Sequence, residues 1–136
     1  MSLELRPLRL RPGADLRQAL ELAVKEAGAP GAFVVTGIGS LIQANLRLAG
    51  HDGASIVPGP LEILTLAGSL SVDGAHLHMS VADAQGRVVG GHVAYGNEIR
   101  TTAEILIALL PAWALSRESD PTTGCDELVV RSQQPG

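Results

Sequence analysis

The sequence predicts an α+β fold, a mostly antiparallel sheet with one clear helix. Three observations carry that expectation: an apolar stripe at helical spacing near the amino-terminal end, a succession of short strand-like runs, and one tight-turn signal joining two of those runs. The 136 residues fit a single domain, 1–136, and 46% hydrophobic with 18% charged residues is the balance of a chain that folds around a core.

Residues 4 to 10 alternate and read as an opening strand that Pro12 and Gly13 interrupt. Asp15-Leu-Arg-Gln18 then supplies a helix start resembling a capping box. Leu16, Ala19, Leu20, Ala23, Val24 and Ala27 form one apolar stripe that must lie on a sheet, and Gly28 and Pro30 end the helix. From Gly31 onward the spacing changes to that of strands. The runs are Ala32 to Thr36, Leu41 to Leu48, Leu61 to Ser71, Ala75 to Ala82, Arg87 to Tyr95, Glu98 to Leu109 and Glu127 to Arg131. Gly37-Ile-Gly-Ser40 follows a strand without opening a helix, so it is no dinucleotide fingerprint and reads as a tight turn. Gly50 to Pro60 reads as an exposed loop, and residues 132–136 as frayed.

The formal charge is −4, from nine arginines and one lysine against fourteen carboxylates, so the field of the whole molecule repels phosphate. Four arginines, Arg6, Arg9, Arg11 and Arg17, crowd the first seventeen residues and read as a charged edge strand that resists aggregation, ahead of the alternative of a phosphate-binding patch. Phe33, Tyr95 and Trp113 are the only aromatics, too few for stacking on bases. DNA as a partner is therefore not favoured. The apolar run from Ile105 to Leu110 ends at Pro111, far short of the roughly 20 residues of a membrane helix. No membrane partner is expected. A lone Cys125 excludes an internal disulfide, and without a charged-then-apolar leader the expected location is cytoplasmic.

The chemistry concentrates in one hairpin. In Asp83-Ala-Gln-Gly-Arg87 the glycine stands where a three-residue loop needs a left-handed residue after a turn. With Asp83 facing Arg87, paired positions sum to 170, so His78 lies opposite His92 and His76 points to the same face. Ser80, Ala82, Gly90 and Ala94, all small, and Val88 share that face, leaving space above the rings. Three imidazoles without a thiolate suit Zn²⁺ first and other divalent transition ions next, with a fourth position for water or a small-molecule ligand. Two histidines at alternate strand positions also occur on wet sheet faces, and an even-membered loop would carry His92 to the opposite face. The reading depends on register.

His51, in a loop beside Asp52, reads as solvated. Glu62 and Arg100 lie inside strand-like runs, where they pair, line a pocket or occupy exposed faces. Ser40, Ser80 and Cys125 stand in no nucleophile arrangement, so no hydrolase triad is supported and no catalytic residue is assigned.

Five segments resemble the PPC (plant and prokaryote conserved) domain. They are Gly37-Ile-Gly-Ser-Leu41, Leu61-Glu-Ile-Leu-Thr-Leu-Ala-Gly-Ser-Leu70, His76-Leu-His-Met-Ser-Val-Ala-Asp83, Gly86-Arg-Val-Val-Gly-Gly-His92 and Thr101-Thr-Ala-Glu104. The resemblance implies a mainly antiparallel sheet flanked by one long helix and shorter helical segments, assembly as a homotrimer, and metal binding at His76, His78 and His92. Plant members carry an Arg-Gly-Arg-Pro core ahead of the domain, and this sequence has none. Two functions follow as expectations: a trimeric metal-binding domain with a site open to a small ligand, or a DNA-associated regulatory or interaction module in which the metal is structural or absent.

Overall fold

The computed structural model describes residues 2–133. Strand β1 (Glu4–Leu10) precedes helix α1 (Leu16–Glu26), and strands β2 (Ala32–Arg47), β3 (Ser55–Ser71), β4 (Gly74–Ala82), β5 (Val88–Val93), β6 (Glu98–Leu109), β7 (Trp113–Asp120) and β8 (Cys125–Ser132) follow. Six strands form one sheet in the order β1-β6-β2-β3-β4-β5, and β7 pairs with β8 apart from it. Every strand pairing is antiparallel. The end of β2 also pairs with β5, Leu46 with Val93 and Arg47 with His92, so the sheet curls back on itself.

The helix forms where its stripe predicts. Asp15 caps it by accepting from the Gln18 amide at 3.0 Å. Leu16, Leu20 and Val24, four residues apart, are buried against Leu41, Leu61, Leu66, Leu77, Ile99 and their neighbours on the sheet. Fully burying one such leucine is worth about 1.5–3 kcal/mol. Sheet and helix together therefore enclose the core that fixes the strands. Among the described residues α1 is the only helix, and it has eleven residues. The shorter helical segments implied by the resemblance are absent among the described residues.

Three further expectations need correction. Gly37-Ile-Gly-Ser40 is not a turn but the middle of the sixteen-residue β2. These glycines serve close packing: a Cβ on Gly39 would stand 2.8 Å from the Ala103 Cα on β6, and one on Gly37 would stand 3.1 Å from Leu66. Gly50 to Pro60 is a loop only in its first half, because β3 begins at Ser55. Pro58-Gly-Pro60 is accommodated at a bulge, where Leu41 pairs with Leu61 but Gln43 with Pro58, so β3 spends one residue more than β2. Trp113–Asp120, for which no strand was expected, pairs along its length with β8. Pro121-Thr-Thr-Gly124 closes that hairpin, with the Gly124 amide donating to the Asp120 carbonyl at 2.8 Å.

At the carboxyl end Ser132 pairs with Trp113 and the Gln133 amide donates to the Ala112 carbonyl, so the fraying expected from 132 does not begin there. Residues 134–136 lie outside the described residues. β1 is an edge strand, as expected, and Arg6 is paired with Glu4 at 2.6 Å. Arg17 belongs to α1 instead. No helix among the described residues is long and apolar enough to cross a membrane.

Candidate metal centre

The turn after β4 sets the register. The Asp83 amide donates to the Arg87 carbonyl and the Gly86 amide to the Asp83 carbonyl, each at 2.9 Å. Gly86 has φ +79°, the left-handed conformation a three-residue loop requires. The Asp83 carboxylate accepts from the Gln85 and Arg87 amides at 2.9 Å and from the Arg87 Nε at 3.0 Å. Chiefly the Arg87 amide holds its carboxyl below the usual value. Closed this way, the hairpin pairs His78 with His92, Ser80 with Gly90 and Ala82 with Val88.

Three imidazoles consequently project from one face, while Leu77, Met79, Val81 and Val93 of the same strands enter the core. The ring centroids of His78 and His92 are 4.4 Å apart, those of His76 and His78 5.1 Å, and those of His76 and His92 5.5 Å. The His78 Nε2 and His92 Nδ1 approach to 3.1 Å. One donor atom from each of the three rings lies within 4.8 Å of the others, close enough for a single ion. The small neighbours act differently from expectation. Ser80 is engaged with Thr65 at 2.7 Å, and a Cβ on Gly90 would meet the Met79 carbonyl at 2.8 Å, so that glycine serves strand approach as well as open space.

Burial pushes the His76 imidazole below its ordinary value of 6.5; the Arg117 guanidinium and the other two rings add to this, and Glu127 opposes it. Burial lowers His92 likewise, followed by Arg47 and His78. Both rings are thereby kept neutral at pH 7, the form with a lone pair to donate.

Several residues that position this face carry no signal in the sequence. Glu21 on α1 accepts from the Ala75 amide at 2.8 Å, immediately before His76, and from the Tyr95 hydroxyl. Arg17, one turn earlier, donates to the Val93 carbonyl at 3.1 Å, immediately after His92. The helix thus fastens the far ends of both histidine strands. Asn97, fully buried, donates to the Asn45 and Ala94 carbonyls and accepts from the Asn45 amide at 2.7 Å, which ties the end of β5 to β2. Apart from the bond between Asn97 and Ala94, these contacts join residues 50 or more positions apart, beyond any local pattern.

The remaining singled-out residues stay outside the cluster. His51 is exposed, and its carbonyl accepts from Arg47 at 3.2 Å. Glu62 and Arg100 are both exposed and form no ion pair with each other. Cys125 is a free, exposed thiol.

Comparison with known proteins agrees with this architecture. The family model described as the Plants and Prokaryotes Conserved (PCC) domain matches residues 3–111. The chain is 48% identical over 130 residues to the bifunctional protein GlmU of Synechococcus sp. strain JA-2-3B'a(2-13), a match that covers 96% of this chain and 21% of that protein. The chain therefore spans about a fifth of the length of the curated relatives it matches. Among solved structures, a hypothetical protein from Salmonella cholerae-suis superposes with a TM-score of 0.94 at 34% identity, covering 98% of this chain and 96% of that one. A metal-containing protein from Archaeoglobus fulgidus superposes with a TM-score of 0.82 at 27% identity, covering 93% of each chain.

Proposed function

The chain belongs to the Plants and Prokaryotes Conserved domain family, and from that premise we propose that it binds one divalent transition ion, zinc first, through His76, His78 and His92. The observation that carries the reading is the convergence of three ring donors within 4.8 Å of one another. The likeness to a metal-containing protein supports it.

The donor set fits the group. A tetrahedral zinc with nitrogens at about 2.0–2.1 Å holds them about 3.3 Å apart, and His78 Nε2 and His92 Nδ1 already stand at 3.1 Å. Without an ion these two nitrogens hydrogen-bond only if one carries the proton; with an ion both offer lone pairs and the protons move to the other ring nitrogens. Three protein ligands leave a fourth position for water or a small ligand, the arrangement of open rather than structural zinc sites. When bound, such an ion is a Lewis acid and brings the pKa of its water to about 7. His76, His78 and His92 hold and orient; burial first, and then Arg117 and Arg47 respectively, keep His76 and His92 below their ordinary value. The reading includes assembly as a homotrimer, supported by Phe33, Val35, Ile38, Ile42 and Leu64, which are exposed on β2 and β3.

Elemental analysis of protein purified without chelator, followed by zinc titration, tests the centre. One ion per chain is expected. His76→Ala, His78→Ala and His92→Ala should each weaken binding by more than the about 10–100-fold that loss of an outer partner costs. Unchanged affinity in the His78→Ala and His92→Ala variants discards the metal reading.

A further inference from the structure

A cleft of 730 Å³ opens beside the histidines, lined by His76 and His92 together with Arg17, Arg47 and Arg117. Such a volume lies within the about 300–1,000 Å³ of small-molecule sites. Two of the guanidiniums flank the imidazoles from opposite sides. Arg47 is the direct partner of His92 across β2 and β5, and directly opposed residues share a face. Arg117 reaches over from β7 and donates to the Ser69 Oγ at 2.8 Å, and Ser69 is the direct partner of His76. Two neighbouring rungs of the sheet, Ser69 with His76 and His78 with His92 and Arg47, thus set one guanidinium beside His76 and the other beside His92.

Neither of these arginines has an acidic partner among the described residues. Arg47 donates to the His51 carbonyl at 3.2 Å and Arg117 to a serine, both neutral acceptors that leave most of a five-donor fork unused. Arg17 is different, since Glu21 lies 3.5 Å from it. Asp73, Asp126 and Glu127 also line the cleft, and Asp73 is engaged by the Arg117 amide at 2.8 Å. Against those three carboxylates, two guanidiniums without an acidic partner and a divalent ion leave the loaded cleft net positive.

We propose that this cleft takes a small organic oxyanion, a carboxylate or phosphate gripped by Arg47 and Arg117 while another of its polar atoms occupies the open position of the metal. The proposal rests on the metal reading above and adds the chemical class of ligand. Guanidinium forks suit oxyanions because two parallel N–H groups match two oxygens, an arrangement an ammonium cannot reproduce.

Zinc-loaded protein titrated calorimetrically with inorganic phosphate and, in a separate arm, with malonate tests it, at fixed ionic strength in a non-coordinating salt. At least one anion should bind, and the tighter arm identifies phosphate or carboxylate as the recognised group. Arg47→Gln and Arg117→Gln should each weaken it at least about tenfold with zinc stoichiometry unchanged, since charge-assisted hydrogen bonds are lost. Arg47→Lys should fall between, and Arg100→Gln should match the unaltered chain. Because Arg117 also anchors β7, Arg47→Gln stands as the variant that decides should Arg117→Gln not fold. Absence of binding in both arms, or equal affinity in Arg47→Gln at retained zinc, overturns the proposal. Loss of zinc from the unaltered chain would instead refute the metal reading, and the same arginine dependence measured on zinc-free protein would then judge the anion site alone.

Discussion

His76 and His92 carry folded-state pKa values below 6.5, chiefly through burial and then through Arg117 and Arg47 respectively. As pH falls, the unfolded chain takes up protons at these positions before the folded one does. Their contribution is thus intact above about 6.5 and is lost as pH drops through the lower folded values. Metal binding follows the same direction, because a proton and an ion compete for one lone pair. Zinc affinity should hold from about pH 8 to 7 and fall steeply below about 6.5, and the thermal midpoint of the loaded protein should fall with it. Asp83 and Asp120 are held below their ordinary 3.8, by the Arg87 amide and the Thr122 hydroxyl respectively, so their losses come at more acidic pH. A midpoint flat down to about pH 5 would exclude the imidazoles as its source.

At the scale of elements, the histidine hairpin is specified locally and β2 is not. Asp83, Gly86 and Arg87 contain the whole instruction for a three-residue loop, and the pairing of His78 with His92 follows from it by alternation. In β2, Gly37 and Gly39 look like turn residues because their sequence neighbours do not reveal Leu66 and Ala103 lying against them. Two glycine substitutions separate these roles. Gly39→Ala sets a Cβ 2.8 Å from backbone that cannot yield, and overpacking of this kind costs about 1–3 kcal/mol in urea unfolding. Gly86→Ala meets nothing within 4 Å, yet a side chain in the left-handed conformation costs about 1–2 kcal/mol and should also weaken zinc. A neutral Gly39→Ala would show that β2 and β6 part easily there.

For the whole molecule, Phe33, Val35, Ile38, Ile42 and Leu64 leave a broad apolar surface exposed on β2 and β3. Surfaces of that kind mark sites of association. A solution mass of about three chains is expected from light scattering, and Ile38→Asp should shift it to that of one chain, because an unpaired charge would be buried in the contact. A single-chain mass for the unaltered protein would discard the trimer.

The sequence alone determined the helix, its cap, the edge strand and the shared face of three histidines, because each depends on a period or a turn contained within a few residues. Only the tertiary structure decided that β2 runs unbroken, that β7 joins β8, and that Glu21, Asn97, Arg47 and Arg117 gather around the imidazoles. Those outcomes depend on how closely distant strands approach, a distance fixed by packing across the core and invisible in the spacing of neighbouring residues.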